Sequence, residues 1–263
     1  MDGALDGRVA LVTGGGSGIG RAASLALAAE GARVVVADVA ADGGEETAAM
    51  VRERGGESLF VRTDVTSAAQ VEAMVSRAVD AYGRLDCAFN NAGVQLEVQR
   101  GANTLSADCT EEVFDRTLSV NLKGVWLCMK YEVPRMLEAG GGSIVNTSSA
   151  AGLVGIEGQA VYVASKHGVI GLTKSAALEY AASGVRINAV CPGSTRTPMI
   201  DDITGHDPGM EARIASNQPL GRMGAPEEIA AAVVWLCSDA SSFVTGHALS
   251  VDGGMASGLF LTT

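Results

Sequence analysis

Aromatic residues are scarce in this chain, at 4% of its 263 positions, and proline occurs only 6 times. A core with so few rings has to be filled by small aliphatic side chains, which dominate the 47% apolar fraction. Basic residues are also in deficit: 19 Lys and Arg stand against 30 Asp and Glu, a formal net charge of −11. Such a surface repels polyanions, so no nucleic acid partner is expected. The five cysteines, Cys87, Cys109, Cys128, Cys191 and Cys237, are odd in number and never form a C-x-x-C pair. Neither a disulfide framework nor a metal site is indicated, and a reducing cytoplasm suits them. No run reaches about 18 uninterrupted apolar residues, and MDGALDGR lacks a basic-then-apolar leader, so no membrane span and no secretory signal are expected.

Glycine is plentiful instead, with 34 residues, and short aliphatic runs alternate with longer amphipathic stretches. RVALVT, ARVVVAD, SLFVRTD, RLDCAFNNAG, GSIVNTSS and VRINAVCPG read as strands. SGIGRAASLALAAEG, AAQVEAMVSRAVDAYG and the stretches around 121–138 and 160–182 read as helices. Strands this uniformly apolar are covered on both faces, which predicts an α/β fold: a Rossmann-like, doubly wound parallel sheet flanked by helices. With no internal repeat and no Pro- or Ser-rich linker, residues 1–263 are read as a single domain. Two irregular stretches interrupt the rhythm. One is 94–110, carrying Gly101 and Asn103; the other is 194–226, read as a substrate lid with one short helical piece near 210–216. Both follow predicted strands, at the edge where open parallel sheets bind ligands.

TGGGSGIG, residues 13–20, lies between a predicted strand and a predicted helix. Gly14, Gly18 and Gly20 fall where the turn is tight, where backbone approaches a phosphate and where helix meets sheet. A P-loop is excluded because Arg21, rather than Lys and then Ser or Thr, follows Gly20. Asp38 ends the second strand, where a carboxylate can accept from ribose hydroxyls. It repels a 2′-phosphate, no basic residue lies between Gly14 and Gly18, and Val39 follows, so NAD is expected over NADP. A second reading makes Asp38, or Asp42, the cap of the next helix. In Tyr162-Val-Ala-Ser-Lys166 the four-residue spacing puts phenol and ammonium on one helical face, where the cation favours phenolate. Ser149, 13 residues upstream, closes an aliphatic strand in position to hydrogen-bond the same reacting oxygen.

TGGGSGIG, Asp64-Val65, Asn90-Asn91-Ala92-Gly93, Asn121 in SVNLKG, Ser149, Tyr162, Lys166 and Pro192-Gly193 stand in this order along the chain. The set resembles that of the single-domain short-chain dehydrogenase/reductase family, over nearly the whole length. The resemblance implies a catalytic group of Asn121, Ser149, Tyr162 and Lys166. Tyr162 would be the acid/base, Lys166 would lower its pKa and hold the nicotinamide ribose, Ser149 would orient the substrate oxygen, and Asn121 would hold a water joined to Lys166. For NAD it implies contacts from Gly14, Ser17, Gly18, Ile19, Gly20, Asp38, Asp64, Val65, Asn91, Ala92, Gly93, Tyr162, Lys166, Pro192, Gly193, Thr195 and Thr197. It also implies a homotetramer assembled through the helices near 117–139 and 160–182.

Candidate pocket walls at 94–97, 150–154, Gln159, 193–194 and 198–218 are mostly small, apolar or neutral polar. They suit a small-molecule substrate that is a neutral secondary alcohol or ketone, cyclic or a diol, better than a multiply anionic one. Met199 and Met210 are candidate walls, Trp126 and Trp235 packing residues, and His167, His206 and His247 structural or solvent-facing. Competing readings are an NADP-dependent carbonyl or 3-oxoacyl reductase, an extended-branch sugar-nucleotide enzyme, a scaffold, and a non-catalytic NAD(H)-binding redox sensor. The last needs ribose contacts but no acid/base phenol.

Overall fold

A computed structural model describes residues 3–99 and 102–258. Gly101 in the first irregular stretch and 259–263 at the end of the single-domain reading lie outside the described residues. The first half runs β1 (Val9–Thr13), α1 (Gly18–Ala29), β2 (Arg33–Asp38), α2 (Ala41–Glu53), β3 (Ser58–Arg62), α3 (Ala68–Tyr82) and β4 (Cys87–Asn90). A two-residue-strand hairpin, β5 (Val98–Gln99) and β6 (Ala102–Asn103), leads to α4 (Glu111–Leu118), a π-helical turn (Ser119–Lys123) and α5 (Gly124–Glu138). Then come β7 (Gly142–Thr147), α6 (Ala160–Tyr180), β8 (Val185–Pro192), α7 (Pro198–Thr204), α8 (Pro208–Ser216), α9 (Pro226–Cys237) and β9 (Ala248–Val251).

The larger sheet has seven parallel strands in the order β3-β2-β1-β4-β7-β8-β9. The order reverses between β1 and β4, which opens a crevice at the carboxyl edge of the sheet. Alternation explains why each strand is apolar throughout. Val9 and Leu11 of β1 join the cluster under α3, α5 and α6, while Ala10 and Val12 join the one under α1 and α9. Each fully buried Val or Leu contributes roughly 1.5–3 kcal/mol relative to exposure.

The parallel, helix-flanked sheet agrees with the predicted class, and no described helix is long and apolar enough to cross a membrane. Three details differ from the sequence reading. The stretch 94–110 contains the β5–β6 hairpin, too short to show alternation. The lid carries two helices, α7 and α8, each opened by a proline at its first turn, where the missing N–H costs nothing. Trp126 and Trp235 are 45% and 38% exposed, so neither is a core filler of this chain.

Candidate active site

The carboxyl edge of the sheet opens into a cavity of about 480 Å³, roofed by α7 and α8. At one end β1 runs into the glycine turn. Gly14 has φ +63°, a left-handed conformation that a side chain would strain, and a Cβ at Gly20 would sit 2.0 Å from the Gly14 carbonyl oxygen. Gly20 therefore lets α1 close onto the turn, set back from the residues that line the cavity. Asp38 is anchored from both sides: Oδ2 accepts from Gly16 N at 2.9 Å and Oδ1 from Ala40 N at 2.9 Å. It thus holds the glycine turn as well as the start of α2, and it keeps its place on the cavity wall.

Asn91 ties β4 to β1. Its side-chain amide donates to the carbonyls of Thr13 and Gly14, both at 3.2 Å, while Thr13 Oγ1 accepts from the backbone of Asn91 and Ala92. Asp64 spends Oδ1 on the Thr66 amide and hydroxyl, and these two bonds hold its carboxyl below the ordinary carboxylate range. Gly14, Ser17, Gly18, Ile19, Asp38, Asp64, Val65, Asn91, Ala92, Gly93, Pro192, Gly193, Thr195 and Thr197 all line the cavity. So do Ser149, Tyr162 and Lys166.

The other end is built on β7 and α6. Ser149 opens a short 3-10 turn at Ala150–Gly152, accepting from Ala151 N at 3.1 Å, and its hydroxyl reaches the Tyr162 phenol. Ser148 points the other way, donating to the Lys166 carbonyl at 2.9 Å, so the structure places Ser149 and not its neighbour at the phenol. Burial pushes the phenol above its ordinary value and the Ser149 bond pulls it back. Lys166 is pushed down to about 8 by burial; Nζ donates to the Thr147 carbonyl at 2.9 Å and lies 5.6 Å from the Tyr162 ring centre. The Lys166 ammonium is thus held by a backbone carbonyl beside the Tyr162 ring, and the Ser149 hydroxyl is a second group that favours phenolate.

Asn121 sits in the π-helical turn, fully buried behind the cavity wall. Its Oδ1 accepts from Val94 N at 2.8 Å, and Nδ2 donates to Val94 O at 2.9 Å and Ser165 Oγ at 3.2 Å. The side chain clamps the loop after β4 onto α6, a task the water-holding expectation did not include. A Cβ at Gly93 would lie 3.3 Å from Asn121 Oδ1 and 3.5 Å from Lys166 Nζ, so the two groups share that glycine as a neighbour.

A family model described as enoyl-(acyl carrier protein) reductase matches residues 14–256. A 2,5-dichloro-2,5-cyclohexadiene-1,4-diol dehydrogenase from Sphingobium indicum is 45% identical over 251 residues, 95% of this chain and 97% of that one. A cyclohexanol dehydrogenase from an Acinetobacter strain is 43% identical over 257 residues, 98% of each chain. The crystal structure of levodione reductase superposes with a TM-score of 0.91 at 39% identity, covering 97% of this chain and all of that one. The chain belongs to the single-domain short-chain dehydrogenase/reductase family. It is an oxidoreductase of that family, whose members use a nicotinamide cofactor. The glycine turn, the close approach at Gly20 and the anchored Asp38 form a cradle that fits a dinucleotide.

In this dehydrogenase/reductase several site residues carry no motif. Glu97, 1% exposed, accepts from Val161 N at 3.0 Å and Tyr162 N at 2.6 Å, capping the first turn of α6 from a distant loop. Arg116 lines the cavity on the Asp64 side. Ile203 and Ile214 of the lid line it as well, and so does Met199, whereas Met210 does not. Met199 is a candidate wall in the sequence, the composition of 94–97 and 198–218 covers Glu97, Ile203 and Ile214, and nothing in the sequence points to Arg116. On the lid, Asp201, His206 and Glu211 bring one ligating atom each within 4.8 Å of one another, but the Arg196 guanidinium lies 3.4 Å from Glu211. A cation there would meet that positive charge, so no metal role is assigned.

Proposed function

We propose that the chain is an NAD-dependent dehydrogenase/reductase that interconverts neutral cyclic secondary alcohols and ketones. The observation that carries this reading is the presence, in one cavity, of the Ser149–Tyr162 pair with Lys166 at one end and an anchored Asp38 at the other. A bound nicotinamide supplies the acceptor, or donor, of the hydride at the substrate carbon. Tyr162 takes the hydroxyl proton during oxidation and returns it during reduction. Ser149 has one hydroxyl proton, which it donates to the phenolate before substrate binds and to the substrate oxygen afterwards, so both groups stay within reach of the same hydroxyl. Lys166, with a pKa near 8, keeps its positive charge at neutral pH and offsets the negative charge that develops on Tyr162.

Asp38 supports NAD, because a second negative group on the ribose would have to share its site. The substrate end supports a carbocycle: Val94, Val98, Ile156, Met199, Ile203 and Ile214 form its walls. The names of the relatives, a cyclohexadienediol and a cyclohexanol dehydrogenase among them, point the same way. The net charge of −11 does not favour an acidic acyl carrier as the vehicle of the substrate. The reading extends to a homotetramer in a reducing cytoplasm. Trp126 on α5 borders a groove with Leu118, Leu122, Gly168 and Leu172, an apolar face suited to a second copy.

The deciding assay follows absorbance of the reduced nicotinamide with NAD and then NADP, across cyclic alcohols, diols, open-chain alcohols and sugars. Tyr162→Phe should lose at least about a hundredfold in turnover while its NADH affinity stays close to wild type. Turnover by that variant would sink the mechanism, and preference for NADP would sink the reading of Asp38. Silence of the wild type in the presence of tight NADH binding would turn the case to a redox sensor. A monomer by light scattering would remove the tetramer.

A further inference from the structure

Two amides stand on the apolar substrate wall. Gln95 lies in the loop after β4, Gln159 is the N-cap residue of α6, and both line the cavity with Tyr162. Gln95 Oε1 accepts from Glu97 N at 3.1 Å, and Gln95 Nε2 donates to Gln159 Oε1 at 2.9 Å. The shape of an amide does not say which end is oxygen, but its partners do. A backbone N–H only donates, so Gln95 must turn its carbonyl to Glu97. Its NH2 group then faces Gln159, which must answer with its own carbonyl. The polarity of the chain is set from the backbone outward, and the NH2 of Gln159 is its terminal group.

Glu97 makes the starting point rigid. Its carboxylate is held by the amides of Val161 and Tyr162, so the loop that orients Gln95 is fastened to the same helical turn that carries the phenol. The Thr104 hydroxyl donates to the Glu97 carbonyl at 2.9 Å and closes the loop from its far side. Gln159 is the N-cap residue of α6, three positions before Tyr162, and both side chains line the same cavity.

We infer that the Gln159 NH2 is a second recognition point for the substrate, a donor to an acceptor oxygen carried on the ring away from the reacting carbon. The inference rests on the cyclic-alcohol reading and adds the substrate class: six-membered rings with a second carbonyl or hydroxyl oxygen. One oxygen meets Ser149 and Tyr162, the other meets Gln159, and the ring between them lies against Val94, Val98 and Ile156. Two polar points hold the ring in one orientation, which a single point on an apolar wall does not.

The test compares kcat/KM for cyclohexanol and for 4-hydroxycyclohexanone in the wild type, Gln159→Leu and Gln159→Glu. The ratio of the two substrates is the readout, so any general loss of folding or of Tyr162 placement cancels. The wild type should favour the ring with the second oxygen by about three- to tenfold, the value of one neutral hydrogen bond. Gln159→Leu should bring the ratio close to one. Gln159→Glu keeps an oxygen for Gln95 but presents an acceptor where the donor stood, and should press the ratio below one. A ratio unchanged in Gln159→Leu, or raised in Gln159→Glu, overturns the inference while leaving the dehydrogenase reading standing. Failure of the wild type to oxidise either ring overturns the reading and the inference together.

Discussion

Gly16 N meets Asp38 Oδ2 at 2.9 Å, and Gln95 Nε2 meets Gln159 Oε1 at the same distance, but the two bonds belong to different kinds of construction. The first joins the ends of adjacent strands, β1 and β2, which the sheet already holds in register. The second joins residues 64 positions apart, one on a loop and one at the N-cap of α6. The dinucleotide end of the cavity is a property of the sheet edge, made largely by backbone amides and by the absence of Cβ atoms. The substrate end is assembled late, by Glu97 on α6, by Asn121 on Val94 and by two lid helices. The first end follows from a local turn, and the second from contacts between segments far apart in the chain.

Between the two ends lies a buried polar group under the seam of β4 and β7. Asn90 Nδ2 donates to Glu132 Oε2 and to Asn146 Oδ1, both at 3.0 Å, while Glu132 Oε1 and Asn90 Oδ1 have no hydrogen-bond partner among the described residues. Burial pushes the Glu132 carboxyl up to about 7 from its ordinary 4.5. A carboxyl raised in the folded state gives its full stabilisation below its ordinary pKa and loses it as pH rises through the folded one. Glu132→Gln carries no such penalty and brings an NH2 that can meet Asn90 Oδ1. Its stability relative to wild type should therefore grow by on the order of 2 kcal/mol between pH 5 and pH 8. Urea midpoints at both pH values read this directly, and parallel curves would break the seam argument.

At the backbone-made end, Asp38→Ala should cut the preference for NAD over NADP by about tenfold, measured as the ratio of kcat/KM values, and leave the ratio between ring substrates alone. If the substrate ratio moved as well, the two ends would be coupled and the contrast drawn above would fail. At the other end, Glu97→Ala should lower stability by about 1 kcal/mol, as loss of a helix cap does, and reduce kcat more than it raises KM for NAD. Glu97→Gln keeps one acceptor for the α6 amides and should recover part of both. A rise confined to KM for NAD would place Glu97 with the wrong end.

The same contrast decides what could be read before any coordinates. Val34, Val35 and Val36 announced a strand buried on both faces, and TGGGSGIG announced the turn, because each is local and periodic. Tyr162, Lys166 and Ser149 were legible from spacing and from the motif order. Glu97 was not, because its partners Val161 and Tyr162 are backbone amides 64 and 65 positions away, and backbone amides leave no mark in a sequence. The exposure of Trp126 and Trp235 was hidden for a related reason: an apolar helix stripe looks the same whether it faces a core or open surface. Asn121 stands in the motif order, yet its grip on Val94 depends on a loop path that composition does not specify.

The segment that holds Asn121, Ser119–Lys123, is π-helical, with i→i+5 bonding in place of the tighter bonding of the α-helices on either side. The wider turn shifts the helical phase between α4 and α5. Deleting a residue of this segment other than Asn121 should therefore move the Asn121 amide off Val94, even with every named side chain retained. Length itself is a functional character of this stretch. A library that varied its letters at constant length would search productive space, and one that varied its length would leave it.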